Sequence, residues 1–183
     1  MFGYNKTETG VLAALGVFLG LFFAVAWSRD HGAQSHGLNR VVAILERSRA
    51  DLDPERLTFD DLDRLFGTPG QYNPIESPVG ASKFAWGGVV EATFLGAVDA
   101  VQGSSTPVSL SIGDDKFAGS VLGVRMGCST DDLNKVAQQS GVAPEFVSSS
   151  FHVPVAPSWE VAGAIRGGRV VGWLTARRSP GWN

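Results

Sequence analysis

Residues 9–28 (TGVLAALGVFLGLFFAVAWS) form twenty consecutive positions without a charge, nearly all apolar or small. At about 1.5 Å rise per residue, such a run makes roughly 30 Å of helix, the thickness of the hydrocarbon core of a bilayer. No other segment of the chain comes close. A soluble core helix would carry a polar stripe on one face, and this run has none. The expectation is therefore a segment that meets a membrane, either retained as an anchor or cleaved as a signal peptide.

The two readings differ at the end of the run. Ala24-Val25-Ala26 fits a small-residue cleavage site, with cutting before Trp27. Against it, Phe22, Phe23 and Trp27 crowd the place where a peptidase needs small residues. Trp27 followed by Ser-Arg-Asp also suits an interfacial aromatic anchor. A retained anchor, with the N-terminus inside and residues 38 to 183 outside the cytoplasm, is the leading expectation. Lys6 lies on one side of the run, and Arg29 and Arg40 on the other. Gly16 and Gly20 have a Gly-x-x-x-Gly spacing that would let two helix backbones approach closely.

The remaining chain is long enough for one ordinary domain or two small ones. Lys6 and Glu8 removed, the totals of 15 basic and 18 acidic residues become 14 and 17, a net charge of −3. Such a balance suggests neither a nucleic-acid surface nor a polybasic lipid-binding patch. Cys128 is the only cysteine, so no disulfide forms within the chain, and its Met-Gly-Cys-Ser-Thr context reads as a small packed residue. Charge is segregated. Residues 51–76 carry seven acids against Arg56 and Arg64, whereas Arg166, Arg169, Arg177 and Arg178 stand near the C-terminus against Glu160. These stretches are either solvated faces or an acidic and a basic patch that meet each other or a partner.

Residues 29–37 read as a polar linker. Apolar spacing predicts a helix over 38–52 ended by Pro54, and Thr58 is an N-cap for a short second helix with Asp60 and Asp61 in its first turn. Strands are expected at 82–90, 91–101, 107–112 and 118–125. A helix over 130–139 is capped by Ser129, and one more helical turn is expected at 143–147. Strands follow at 149–155, 159–165 and 169–176, the last two joined at Gly167-Gly168. The expected organisation is a tail and anchor (1–28), the linker, and two α+β units at 38–113 and 114–183.

Those two units carry an internal repeat. Thr58-Phe59-Asp60-Asp61-Leu62-Asp63-Arg64-Leu65 matches Ser129-Thr130-Asp131-Asp132-Leu133-Asn134-Lys135-Val136 in hydroxyls, acids and bases. Each is followed by Gly, a Pro-containing loop, a Trp (Trp86, Trp159) and a Gly-Gly pair (Gly87-Gly88, Gly167-Gly168). A period of that length suits a duplicated α+β unit better than a solenoid. Over residues 57–100 and 119–177, this pattern resembles the two-layer modules of BamE-type small envelope lipoproteins and the tandem modules of β-lactamase inhibitor protein. The resemblance implies helices packed on one face of an antiparallel sheet whose open face binds other proteins. The chain departs from the BamE pattern by lacking a lipid-bearing cysteine and by its longer apolar run.

The combined fold expectation is α+β: an N-terminal transmembrane helix, then antiparallel sheet with short helices on one face, in two similar halves. Catalytic and metal constellations are not evident. His31 and His36 lack nearby third ligands for zinc. Asp51-Leu52-Asp53-Pro54-Glu55 fails the EF-hand pattern, because Arg56 and Leu62 occupy its glycine and glutamate positions. Asp60/Asp61 and Asp131/Asp132 sit where helix dipoles favour acids. The glycines of 163–168 precede a strand instead of opening a helix, so they do not read as a phosphate cradle. Serines 148–150 have only His152 nearby.

Trp159, Trp173, Arg166, Arg177 and Arg178 supply the residue types that dominate binding hot spots, and Trp182 lies in the tail. The expectation is a membrane-anchored, non-enzymatic protein-binding module of the cell envelope or periplasm, with these five residues facing its partner. Its partners would be the lipid bilayer, through residues 9–28, and another envelope protein, without nucleic acid, cofactor or metal. The alternatives are a structural single-pass subunit packed through Gly16 and Gly20, or a surface enzyme using Asp60, Asp61 or His152.

Overall fold

Alternation of apolar and polar side chains sets the architecture. In β3 (Ala81–Trp86), Ser82, Phe84 and Trp86 are buried; in β4 (Val90–Leu95), Val90, Ala92 and Phe94 are buried. The same period of two continues through β5 (Ser109–Ile112), which buries Leu110 and Ile112. A strand's side chains alternate between faces, so one face of the sheet is apolar and the other is not.

The computed structural model describes residues 35–156 and 158–178. The chain divides into units Met1–His36 and Gly37–Asn183, and nearly all described residues belong to the second. There, an eight-stranded antiparallel sheet runs in the order β2-β3-β4-β5-β11-β10-β9-β8. Its further members are β2 (Gln71–Tyr72), β8 (Glu145–Val147), β9 (Ser150–Ala156), β10 (Trp159–Arg166) and β11 (Arg169–Arg178). A three-stranded sheet pairs β1 (Asp51–Leu52) in parallel with β6 (Ser120–Val121), which pairs antiparallel with β7 (Val124–Arg125).

Three short helices bury their stripes in the core that the inward strand residues form. Helix α1 covers residues 35–47 and buries Val41 and Leu45. Helix α2 (Phe59–Phe66) buries Leu62 and Phe66, and α3 (Thr130–Ser140) buries Leu133 and Ala137. Both α2 and α3 begin with a reciprocal capping box. Thr58 Oγ1 accepts the Asp61 N–H at 3.2 Å, while Asp61 Oδ2 accepts the Thr58 N–H at 3.0 Å. Ser129 and Asp132 repeat that exchange at 3.2 and 3.1 Å. Gly67 and Gly141 end the two helices in the left-handed conformation, at φ 63° and 73°.

The two buried tryptophans are anchored differently. Trp86 Nε1 donates to Asp63 Oδ1 at 2.8 Å, within the first repeat. Trp159 Nε1 donates to Glu55 Oε1 at 2.8 Å, and Glu55 precedes α2. The residue matching Asp63, Asn134, lines a surface cavity instead. Gly70 N also donates to Asp63 Oδ1, and the glycine packs so closely on Trp86 that a Cβ would lie 2.7 Å from the indole. Around Phe59, the rings of Phe84, Trp86 and Phe94 lie at centroid distances of 4.9 to 5.6 Å.

The structure corrects the expected fold class. The described residues form a mostly antiparallel β-sheet domain with three short helices, and among them no helix is long and apolar enough to cross a membrane. Helix α1 is too short and carries Arg40, Glu46 and Arg47. The apolar run 9–28, with Gly16 and Gly20, lies outside the described residues. The transmembrane helix and signal anchor, the single-pass envelope or periplasmic placement and the location of residues 38–183 outside the cytoplasm rested on that run; they are withdrawn.

Local boundaries also differ from the expected ones. The first helix stops at residue 47, because residues 51–52 extend to pair with β6. The helical turn expected at 143–147 is strand β8 instead: Pro144 lacks an N–H for a helix, and Glu145–Val147 pair with β9.

Candidate functional site

The core cluster draws on all three helices and on the inward strand residues, so among the described residues no helix covers the opposite face of the large sheet. Strand register arranges that face in rows. One row runs Lys83, Thr93, Ser109, Arg177, Glu160, Pro154, from β3 to β9. The next runs Ala85, Glu91, Ser111, Thr175, Ala162, His152, Glu145, ending on β8. Small and hydroxyl side chains dominate the middle, leaving the backbone floor low.

Polar groups on this face satisfy one another. Lys83 Nζ lies 2.7 Å from Glu76 and 2.6 Å from Glu91. Burial pulls the Lys83 ammonium's pKa down, but hydrogen bonds to the two carboxylates outweigh it, and the net shift is upward. The Ser111 and Thr175 hydroxyls share a hydrogen bond of 2.9 Å. Arg177 Nε donates to Glu160 across β10 and β11.

Trp173 stands on the same face. The register between β10 and β11 shifts at Gly163/Ala164: Gly163 opposes Leu174, Ala164 opposes Val171, and Gly172-Trp173 bulge out between them. Gly172 takes φ 77°, where an L side chain is strained, and its N–H donates to Asp115. Gly163 makes room beneath, since a Cβ there would lie 2.6 Å from Phe151 and 2.8 Å from the Trp173 carbonyl. Trp173 is 40% exposed.

The five residues expected at a partner surface separate accordingly. Trp173, Arg177, Arg178 and Arg166 are accessible, Arg166 at the end of β10. Trp159 is buried, and the Arg178 guanidinium lies over its ring, 5.7 Å from the centroid. The Lys83–Glu76–Glu91 group and Glu160 were missed in the sequence. For Lys83, Glu91 and Glu160 the signal is the alternation within each strand, which marks them as facing away from the core; Glu76, in the turn before β3, has none.

The groups considered for chemistry do not converge. Asp60 lines a cavity of about 450 Å³ with Asp63, Arg64, Gly67, Thr68 and Pro69. Asp61 is occupied by Thr58 and by Arg64, whose Nη1 is 2.9 Å away; hydrogen bonds from Thr58 hold its carboxyl below the usual range. Hydrogen bonds from Ser129, and then from Lys135, lower Asp132 to about 2. Burial pushes the Cys128 thiol up, so it stays protonated near neutral pH. His152 lies on β9, paired in register with Ala162 and Glu145. His31 falls outside the described residues; among those described, no three His, Cys, Asp or Glu side chains are grouped to hold a metal.

No protein-family model and no curated protein matches the chain. Among solved structures, it is similar to the crystal structure of a DUF4309 family protein (YjgB) from Bacillus subtilis subsp. subtilis str. 168, at 11% identity. That match covers 79% of this chain and 97% of the other, with a TM-score of 0.33, too low to carry an argument about fold or function.

Proposed function

We propose that this chain is a non-enzymatic protein-binding module that docks a partner on the uncovered sheet face around β10 and β11. The observation that carries the reading is Trp173, held out on a bulge of a sheet whose opposite face packs the helices. Tryptophan and arginine are the residue types that most often dominate interface energies, and both stand here beside a floor of small side chains. The Ser111–Thr175 hydroxyls bond each other and Arg177 Nε bonds Glu160, so a covering partner has chiefly the remaining Arg177 N–H groups to satisfy. The resemblance to BamE-type modules and β-lactamase inhibitor protein points the same way, because their open sheet faces bind proteins.

An affinity capture from native extract with the full chain tests this. A stoichiometric partner is expected with the wild type. Trp173→Ala should weaken it by about 2 kcal/mol or more, roughly thirtyfold in Kd, and Arg177→Ala should weaken it less. Capture of no partner, or of one indifferent to both variants, would refute the reading.

A further inference from the structure

A second surface lies toward the opposite edge of the sheet, at β3 and β4. Ile75, Val79, Leu95 and Val98 are 93%, 106%, 68% and 42% exposed. Leu95 follows buried Phe94 in β4, so it stands on the uncovered face, in register with Ala81. The Gly96 N–H donates to the Gly80 carbonyl, which brings Val79 beside the Leu95–Gly96 turn, and Val98 opens the 3₁₀ turn that follows.

The loop that presents Ile75 and Val79 is tied down. Asn73 N–H donates to the Lys83 carbonyl, Ser77 Oγ donates to the Asn73 carbonyl, and Lys83 N–H donates back to Ser77 Oγ. Ala81 N–H closes a turn on the Pro78 carbonyl. Two branched aliphatic residues are thus fully exposed on a segment whose ordering entropy is already spent, which lowers what a partner must supply on binding.

Charge selects the occupant. The ionisable groups of this corner are Glu76, Glu91 and Asp99 against Lys83, and Lys83 is already held between Glu76 and Glu91. The patch is therefore apolar with an acidic rim. We propose that it docks an amphipathic segment of another protein, with apolar side chains flanked by lysine or arginine. A second copy of this chain would bring the same acidic rim against itself, and an anionic surface would be repelled.

The test titrates labelled short amphipathic peptides into the full chain by fluorescence anisotropy, one built of leucine and lysine, its counterpart of leucine and glutamate. The leucine–lysine peptide should bind, more weakly as salt rises, and about tenfold more weakly to Leu95→Asp or Val79→Asp. Both sites are exposed, so both variants should keep the wild-type melting temperature. Glu76→Lys should weaken binding as well, and Trp173→Ala should leave it unchanged, which separates this site from the β10–β11 face. Equal binding of the two peptides would overturn the proposal, as would indifference to Leu95→Asp. So would a dimer, seen by sedimentation, that Leu95→Asp dissociates.

Discussion

Removing the Asp63 carboxylate should cost far more than removing the side chain at the matching place in the second repeat. Asp63 Oδ1 accepts two hydrogen bonds, from Trp86 Nε1 and Gly70 N, both at 2.8 Å. Trp86 is fully buried, so Asp63→Ala leaves its indole N–H without a protein acceptor, and only water entering from the surface cavity beside residue 63 can meet it. Such a stranded donor costs about 1–3 kcal/mol; the half-exposed Gly70 N–H can turn to water and adds little. A loss of about 2–3 kcal/mol is expected, near a 1 M fall in urea midpoint for a domain of this size. Asp63→Asn keeps an acceptor oxygen and should lose less than half as much. Asn134→Ala should stay within about 0.5 kcal/mol, since Trp159 is bonded to Glu55. Glu55→Ala should therefore resemble Asp63→Ala. Urea unfolding followed by tryptophan fluorescence measures all four variants. An Asp63→Ala loss below about 0.5 kcal/mol, or an Asn134→Ala loss equal to it, would refute the assignment of partners.

Three further outcomes are expected. Asp132 titrates at about 2 because of Ser129, and a depressed carboxylate stabilises the fold above its unfolded value of 3.8 and loses that contribution as pH falls toward 2. Ser129→Ala should move the Asp132 carboxyl titration, followed by NMR, back toward 3.8; an unmoved titration would dismiss the cap as its cause. Gly163→Ala should destabilise by about 1–3 kcal/mol in thermal melts, because the new Cβ meets the Trp173 carbonyl as well as Phe151. Trp173→Ala should shift the melting temperature little while it weakens partner capture, and a large fall in stability would place Trp173 in the core instead.

What the sequence made legible was local. Ser or Thr followed three residues later by Asp, then Gly after the last apolar position, located both α2 and α3, because capping chemistry is written in adjacent residues. Gly167-Gly168 likewise marked a hairpin, whereas the strand expected over 82–90 ran through Gly87-Gly88, where the chain turns between β3 and β4; all four glycines have positive φ. The strands β1, β2 and β8 escaped because two or three residues carry no period of their own; only their partners define them. Trp159's tie to Glu55 spans 104 residues, so the repeat that aligns it with Trp86 carries no sign of its partner. Hydropathy made the apolar run dominate the fold expectation, whereas the described fold rests on strand alternation, whose signal per segment is much weaker. Within the candidate site, residue type singled out Trp173 and Arg177 but could not separate them from buried Trp159, since all three belong to strands with similar composition.

The acidic stretch seen in the sequence is dispersed in the fold: Glu55 bonds Trp159 of β10, over whose ring Arg178 lies, Asp60 and Asp61 stand on α2, and Glu76 pairs with Lys83. Sheet order places the Lys83–Glu76–Glu91 group at β3 and β4 and the four arginines on β10 and β11, with β5 between them. Lys83 is paired with acids of its own side, and Arg177 with Glu160 of its own hairpin. Along their shared row, three strand spacings of about 4.8 Å separate Lys83 from Arg177, roughly 14 Å, which exceeds the screening length of about 8 Å at physiological salt. Between them stand Thr93 and Ser109, which carry no charge. The two ends of the face therefore act on partners as separate electrostatic fields. A single partner spanning the sheet meets a net negative group at β3 and β4 and a closed Arg177–Glu160 pair at β10 and β11, so a basic group on it is drawn to the first end and fixes the direction in which it lies.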